Sequence, residues 1–153
     1  MSVATHILLT TDFSEASEKA VERAGQLARA TGARLTVLHI HRHPPAAPEA
    51  PVPQGKELSS ADLDSDAHLA LEALKSSKLA NVESVALVTV EHVSAPLAIC
   101  EYADKHGVDM IVIGTHGRTG MTRLLIGSVA EKVVRHASCA VLVVPHDKGS
   151  SSP

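Results

Sequence analysis

Five short apolar runs recur along the chain, and each is followed by a stretch of helical periodicity or by the chain's end. The runs are His6–Leu9, Arg34–Ile40, Ser84–Val90, Met110–Ile113 and Ala140–Val144. Runs this short, rich in Val, Ile and Leu, read as strands buried on both faces of a parallel sheet. The first intervening helix begins at Ser14, carries Glu15 and Glu18 in its opening turn, and shows an apolar stripe of Ala20, Val21, Ala24, Leu27 and Ala28 before Gly32. Gly at that place stops a helix by taking a left-handed conformation. A second stripe runs through Leu63, Ala67, Ala70, Leu71 and Leu74. The third helix starts near Ser94, with Pro96 in its first turn, and ends by Gly107. The fourth shows Val129, Ala130, Val133, Val134 and Ala137. Strict strand–helix alternation predicts an α/β domain with a mostly parallel sheet and helices on both faces.

The chain has 153 residues, which suits one domain, expected over 1–148. His43–Gln54 holds five prolines and reads as a mobile connection between the second strand and second helix. The polar tail Gly149–Pro153 reads as disordered.

Open α/β sheets bind ligands at the carboxyl ends of their strands, where the strand order reverses. The fourth run leads at that end into Gly114-Thr115-His116-Gly117-Arg118-Thr119-Gly120, and Gly127-Ser128 follows before the fourth helix. The spacing is Gly-x2-Gly-x9-Gly-Ser. Gly114 allows a sharp exit from the strand, and Gly117 removes a side chain where backbone must approach a ligand. Gly127 and Ser128 precede a helix whose first N–H groups, with the helix dipole, form an anion site. Arg118 and Arg123 lie in the loop, in reach of outer phosphate oxygens. A plainer reading stays open, because Ser128-Val-Ala-Glu131 is also a capping box. No Gly-Lys-Ser/Thr follows, so this is not a Walker loop. Thr11 and Asp12, at the end of the first run, supply a second group. Asp12 can accept hydrogen bonds from ribose hydroxyls or hold a cation near phosphates; alternatively, Asp12 and Ser14 serve only to cap the first helix.

Three segments resemble the universal stress protein family: Ile7-Leu-Leu-Thr-Thr-Asp-Phe-Ser14, Leu35-Thr-Val-Leu-His-Ile40, and the block from Asp109 to Pro145. The resemblance covers roughly residues 3 to 146. It implies a Rossmann-like five-stranded parallel sheet of order 3-2-1-4-5. Every position of the glycine spacing is kept, which resembles the ATP-binding branch of that family. The resemblance further implies that Thr11 and Asp12 meet ribose or phosphate, and that Ile40, ending the second strand, offers backbone atoms to adenine. Ile113, Gly114, Gly117, Arg118, Gly127, Ser128 and Val129 would surround ribose and phosphates. The implied ligand is ATP, or AMP or ADP, with magnesium or manganese as its companion cation. It also implies a homodimer through the last strand. The residues agree, since Ala140–Val144 is continuously apolar and would form a sheet edge needing cover. Cover by a helix or loop of the same chain is the alternative.

Phe13 and Tyr102 are the aromatic residues, Trp is absent, and the net charge is −3 with no Lys/Arg block. Single-stranded nucleic acid needs stacking platforms, and nucleic acid generally needs a basic footprint, so neither is an expected partner. Cys100 and Cys139 fit no zinc spacing and read as buried free thiols in a reducing compartment. No charged segment followed by an apolar one opens the chain, and no run approaches the ~18 apolar residues of a membrane span, so a cytoplasmic protein is expected.

His39-x-His41-x-His43 has strand period and the capacity to bind a metal, yet lacks an acidic or cysteine partner nearby; exposed histidines at a strand end are expected. Asp62-x-Asp64-x-Asp66 lacks the Gly and Glu of a calcium loop, Ala67 and Ala73 standing in their places. No nucleophile–base pair is evident, even between His116 and Ser128. The leading expectation is therefore a dimeric binding module that holds or senses ATP. A slow ATPase or phosphotransferase using Asp12 with Arg118 or Arg123, and a nucleotide-independent dimer, are the alternatives.

Overall fold

The computed structural model describes residues 4–42, 56–57, 65–115 and 126–146. His43–Gln54, Leu63, Gly117, Arg118, Arg123 and the tail lie outside the described residues. The elements in chain order are β1 (His6–Thr10), α1 (Glu15–Thr31), β2 (Arg34–Arg42), β3 (Lys56–Glu57), α2 (Ser65–Lys78), β4 (Val85–His92), α3 (Ala95–Lys105), β5 (Met110–Gly114), α4 (Ser128–His136) and β6 (Ala140–Val144).

The sheet order is β3-β4-β2-β1-β5-β6. Its five parallel strands, counted among themselves, run 3-2-1-4-5 as expected. The sixth strand was not foreseen. Lys56 and Glu57 pair antiparallel with Glu91 and Val90 at the β4 edge. Two residues carry no readable period, so pattern alone cannot find such a strand.

Strand alternation sorts the core into two layers. Ile7, Leu9, Leu35, Val37 and Val112 pack with Ala20, Val21, Ala24 and Ala28 of α1 and Leu71 of α2. Leu8, Leu38, Ile111 and Ile113 pack with Ala98 and Ile99 of α3 and Ala130 and Val133 of α4. Each fully buried Leu or Ile contributes about 1.5–3 kcal/mol relative to exposure. The stripe read for α1 is borne out, with Leu27 half-buried at its margin. Gly32 ends that helix at φ 72°, its N–H donating to the Ala28 carbonyl. Val134, read as part of the α4 stripe, is instead 48% exposed. Cys100 is buried and Cys139 half-buried, both as free thiols, and burial pushes both thiols above their ordinary value.

The amino end of the sheet is held by polar contacts. Asp109 accepts from the Thr5 N–H at 2.7 Å and the His6 N–H at 2.8 Å. The Thr5 hydroxyl donates to the same carboxylate oxygen at 2.6 Å, and these bonds, that hydroxyl foremost, hold the carboxyl below its ordinary range. His6 is buried, with Nε2 2.8 Å from the Thr36 hydroxyl. Its Nδ1 lies 3.1 Å from the Arg34 guanidinium and 3.2 Å from the His106 carbonyl. One ring nitrogen cannot accept from the first while donating to the second. The guanidinium can only donate, which favours an unprotonated Nδ1. Burial and then the Arg34 charge lower the His6 pKa from its ordinary 6.5. A depressed pKa means the unfolded chain binds the proton first. The stability His6 contributes is therefore complete above pH 6.5 and is lost as pH falls through the lower folded value. Melting temperature is expected to fall on acidification from pH 7 toward 5, with a shallower slope in His6→Asn; equal slopes would remove His6 from that role.

Candidate functional site

β1 pairs with β2 on one side and β5 on the other, and its two neighbours lead to helices on opposite faces. The strand order reverses there, opening a crevice beyond the carboxyl ends of β1 and β5.

The turn that leaves β1 is held by a chain of hydrogen bonds. The Phe13 N–H donates to the Thr11 hydroxyl oxygen at 3.0 Å. Ser17 donates its hydroxyl to the Ser14 carbonyl at 2.8 Å, so the Thr11 hydroxyl is the donor across the 3.2 Å to Ser17 Oγ. Asp12 Oδ1 accepts from both the N–H and hydroxyl of Ser14, at 3.0 and 2.5 Å. The expectation that Asp12 and Ser14 might simply cap α1 is corrected here. Ser14 occupies the N-cap position, yet no side-chain cap bond forms. Its hydroxyl is turned back onto Asp12, as an Asx-type turn favours. Phe13 has φ 63°, the one positive φ among described non-glycine residues. Its ring lies 4.6 Å from that of His39.

His39 corrects a second expectation. It is half-buried rather than exposed, and its Nδ1 lies 3.1 Å from the Thr11 carbonyl. His41 is also half-buried. In register beside His39 stands Thr89 of β4, only 3% exposed, with a hydroxyl that has no hydrogen-bond partner among the described residues.

Ile40 does not end its strand, since β2 continues to Arg42 and Ile40 pairs in register with Val90. Its backbone still faces the crevice. The Leu38 carbonyl accepts the Thr11 N–H at 3.0 Å, so the peptide groups of Leu38 point toward β1. Backbone polar groups alternate sides along a strand, so those of Ile40 point the same way, past the last β1 pair at Thr10↔Leu38.

On the β5 side, Ile113 is buried toward α3 and α4, and Gly114 is the final strand residue, paired with Val144. The reason for a glycine there differs from the sharp exit expected. Gly114 has no positive φ; a Cβ on it would lie 3.1 Å from the Ala16 carbonyl oxygen and 3.7 Å from Ser17 Cα. The first turn of α1 rests directly on it.

The Thr115 carbonyl accepts the Gly127 N–H, and the Thr115 N–H donates to the Val144 carbonyl at 3.0 Å. The start of α4 is thereby tied to the end of β5. Gly127 is the N-cap and Ser128 the first helical residue, so the capping box read from the sequence does not form. The Glu131 N–H instead donates to the Gly127 carbonyl, and its carboxylate pairs with Arg135 at 2.9 Å. Among the described residues no side chain caps α4, and the first-turn N–H groups of a helix have no acceptor within it. The start of α1 is unsuited to an anion, because Asp12, Glu15 and Glu18 surround it.

The structure thus brings Thr11, Asp12, Ile40, Gly114, Gly127, Ser128 and Val129 to one edge of the sheet. It adds Phe13, to which the sequence assigned no role, and His39, which was read as an exposed strand-end histidine. The adjacency of Asp12 and Phe13 to a strand-end histidine was readable; the left-handed φ was not. No group of three or more His, Cys, Asp or Glu among the described residues is placed to hold a metal. Among them, too, no helix is long and apolar enough to cross a membrane.

Residues 4–145 match the model of the universal stress protein family. The chain is 36% identical over 141 residues to universal stress protein A homolog 1 of Coxiella burnetii, covering 91% of this chain and 94% of that one. A universal stress protein solved in complex with cAMP superposes with a TM-score of 0.67 at 24% identity, covering 94% of this chain and 98% of that one. One from Archaeoglobus fulgidus in complex with dAMP gives 0.62 at 17% identity, covering 92% and 98%.

Proposed function

Because the chain belongs to the universal stress protein family, we propose that it binds an adenine nucleotide, ATP foremost, in the crevice between the ends of β1 and β5. The observation that carries this reading is the hydrogen bond from the Gly127 N–H to the Thr115 carbonyl. It brings the N-terminus of α4, which no described side chain caps, to the end of β5, where the strand order reverses beside β1.

The parts divide by chemistry. A carboxylate only accepts hydrogen bonds, so Asp12 suits the donor hydroxyls of ribose and repels phosphate. The N–H groups of Ser128 and Val129 suit phosphate oxygens, with Gly127 permitting close approach. The backbone of Ile40, presenting a donor and an acceptor, suits the edge of adenine. In this reading Thr11, Ile113 and Gly114 lie beneath the nucleotide, and Gly117 and Arg118, from the glycine-spaced segment of the sequence, serve its phosphates. Two proteins of this fold solved with adenine nucleotides support the choice of base. Magnesium or manganese would arrive with the phosphates and meet Asp12.

The chain acts in this reading as a nucleotide-holding module for a stress response, paired with a second copy through β6. Ala140, Val141, Leu142 and Val143 of that edge strand are all at least partly exposed, which supports pairing there. Sedimentation that returns a monomer across micromolar concentrations would remove the pairing. Calorimetric titration with ATP and magnesium, alongside mass spectrometry of co-purifying nucleotide, tests the binding. Saturable heat with ATP and none with GTP is expected; no heat at millimolar ATP and no co-purified nucleotide would sink the proposal.

A further inference from the structure

We infer that His39 is a positioning residue for Asp12, acting through Thr11 and Phe13. What Asp12 then does rests on the nucleotide reading above. A positive φ on a bulky residue persists only where its surroundings over-determine it. At Phe13 two contacts do so: its N–H given to the Thr11 hydroxyl at 3.0 Å, and its ring set against His39 at 4.6 Å and 38°. His39 also grips the other side of Asp12. A carbonyl oxygen can only accept, so the 3.1 Å approach of Nδ1 to the Thr11 carbonyl places the imidazole proton on Nδ1.

The residue before Asp12 and the residue after it are thus both fixed by one side chain. That side chain stands on the sheet, in β2, paired in register with Thr89 of β4. The bonds between Asp12 and Ser14 shape the turn but lie wholly within it. Beside the backbone bond from the Thr11 N–H to the Leu38 carbonyl, His39 is the described side chain of β2 that reaches both neighbours of Asp12, and the Ile40 backbone of the same strand faces the same crevice.

Two substitutions separate the contributions. His39→Phe keeps a ring against Phe13 and removes the donor. His39→Asn keeps an amide donor near the place of Nδ1 and removes the ring. In the full chain without nucleotide, long-range proton–nitrogen spectra are expected to show the His39 proton on Nδ1. Hydrogen-exchange protection of the Phe13 and Ser14 amides is expected to fall about tenfold in His39→Phe and to recover largely in His39→Asn. ATP affinity is expected to follow the same order, again by about tenfold. A proton found on Nε2 alone, protection unchanged in His39→Phe, or a His39→Asn variant no better than His39→Phe would each overturn the role. Should the unaltered chain bind no ATP, the nucleotide reading falls, while the proton and exchange measurements still decide the role of His39.

Discussion

Asp12→Ala is expected to weaken ATP binding by roughly ten- to a hundredfold, the scale of losing hydrogen bonds to a charged group. Asp12 stands half-buried at the strand-order reversal, and its described bonds both fall on Oδ1, from Ser14. Removing the carboxylate also releases the Ser14 hydroxyl and loosens the turn, so a melting curve must accompany the titration. A small shift in melting temperature with a large loss of affinity assigns the effect to ligand contact. Asp12→Asn keeps one oxygen acceptor and should fall between the two proteins. Unchanged affinity in Asp12→Ala would strike Asp12 from the site. A loss matched for adenosine and for ATP would favour its service to ribose over a cation near the phosphates.

Gly114→Val is expected to lower stability by about 1–3 kcal/mol, the range of overpacking in a well-packed core. The strain has few ways to relax. The nearest atom to the new Cβ would be the Ala16 carbonyl oxygen, at 3.1 Å, and the next is Ser17 Cα. Both are backbone of the first turn of α1. For a domain of this size the loss corresponds to roughly 2–12 °C in melting temperature. Moving that turn displaces Ser14 and Ser17, which hold Asp12 and Thr11, so affinity should fall as well. Gly114→Ala should show the same effects on a smaller scale. A valine variant as stable as the parent would mean that the helix does not rest on the strand as described.

The strand–helix alternation and the parallel sheet were legible because they depend on long-range patterns, while the strand order came with the family resemblance. Runs such as Met110–Ile113 and Ala140–Val144 have one stable use, between two layers of helices. Asp12 and the Gly127 region were legible for a related reason, since strand-end position follows from topology. What was not legible depends on contact. Nothing in the order of residues says that Gly114 is met by the Ala16 carbonyl, or that Ser14 turns toward Asp12 rather than into the helix. Ser128 fits the capping pattern with Glu131, yet the helix begins one residue sooner and Glu131 finds Arg135 instead. His39 looked exposed because a strand end usually is. Phe13 lies against its ring, folded back by a backbone angle that no residue pattern announces.

The little β3 strand has a consequence for assembly. Lys56 and Glu57 run against β4 in the opposite direction to every other strand of the sheet and occupy part of its outer margin. On that flank β3 pairs with β4 only at Glu91 and Val90, while β6 on the other flank offers a full five-residue rim. In the pairing proposed through β6, each copy's rim would be used up by the other, so strand addition at that rim would close at two members.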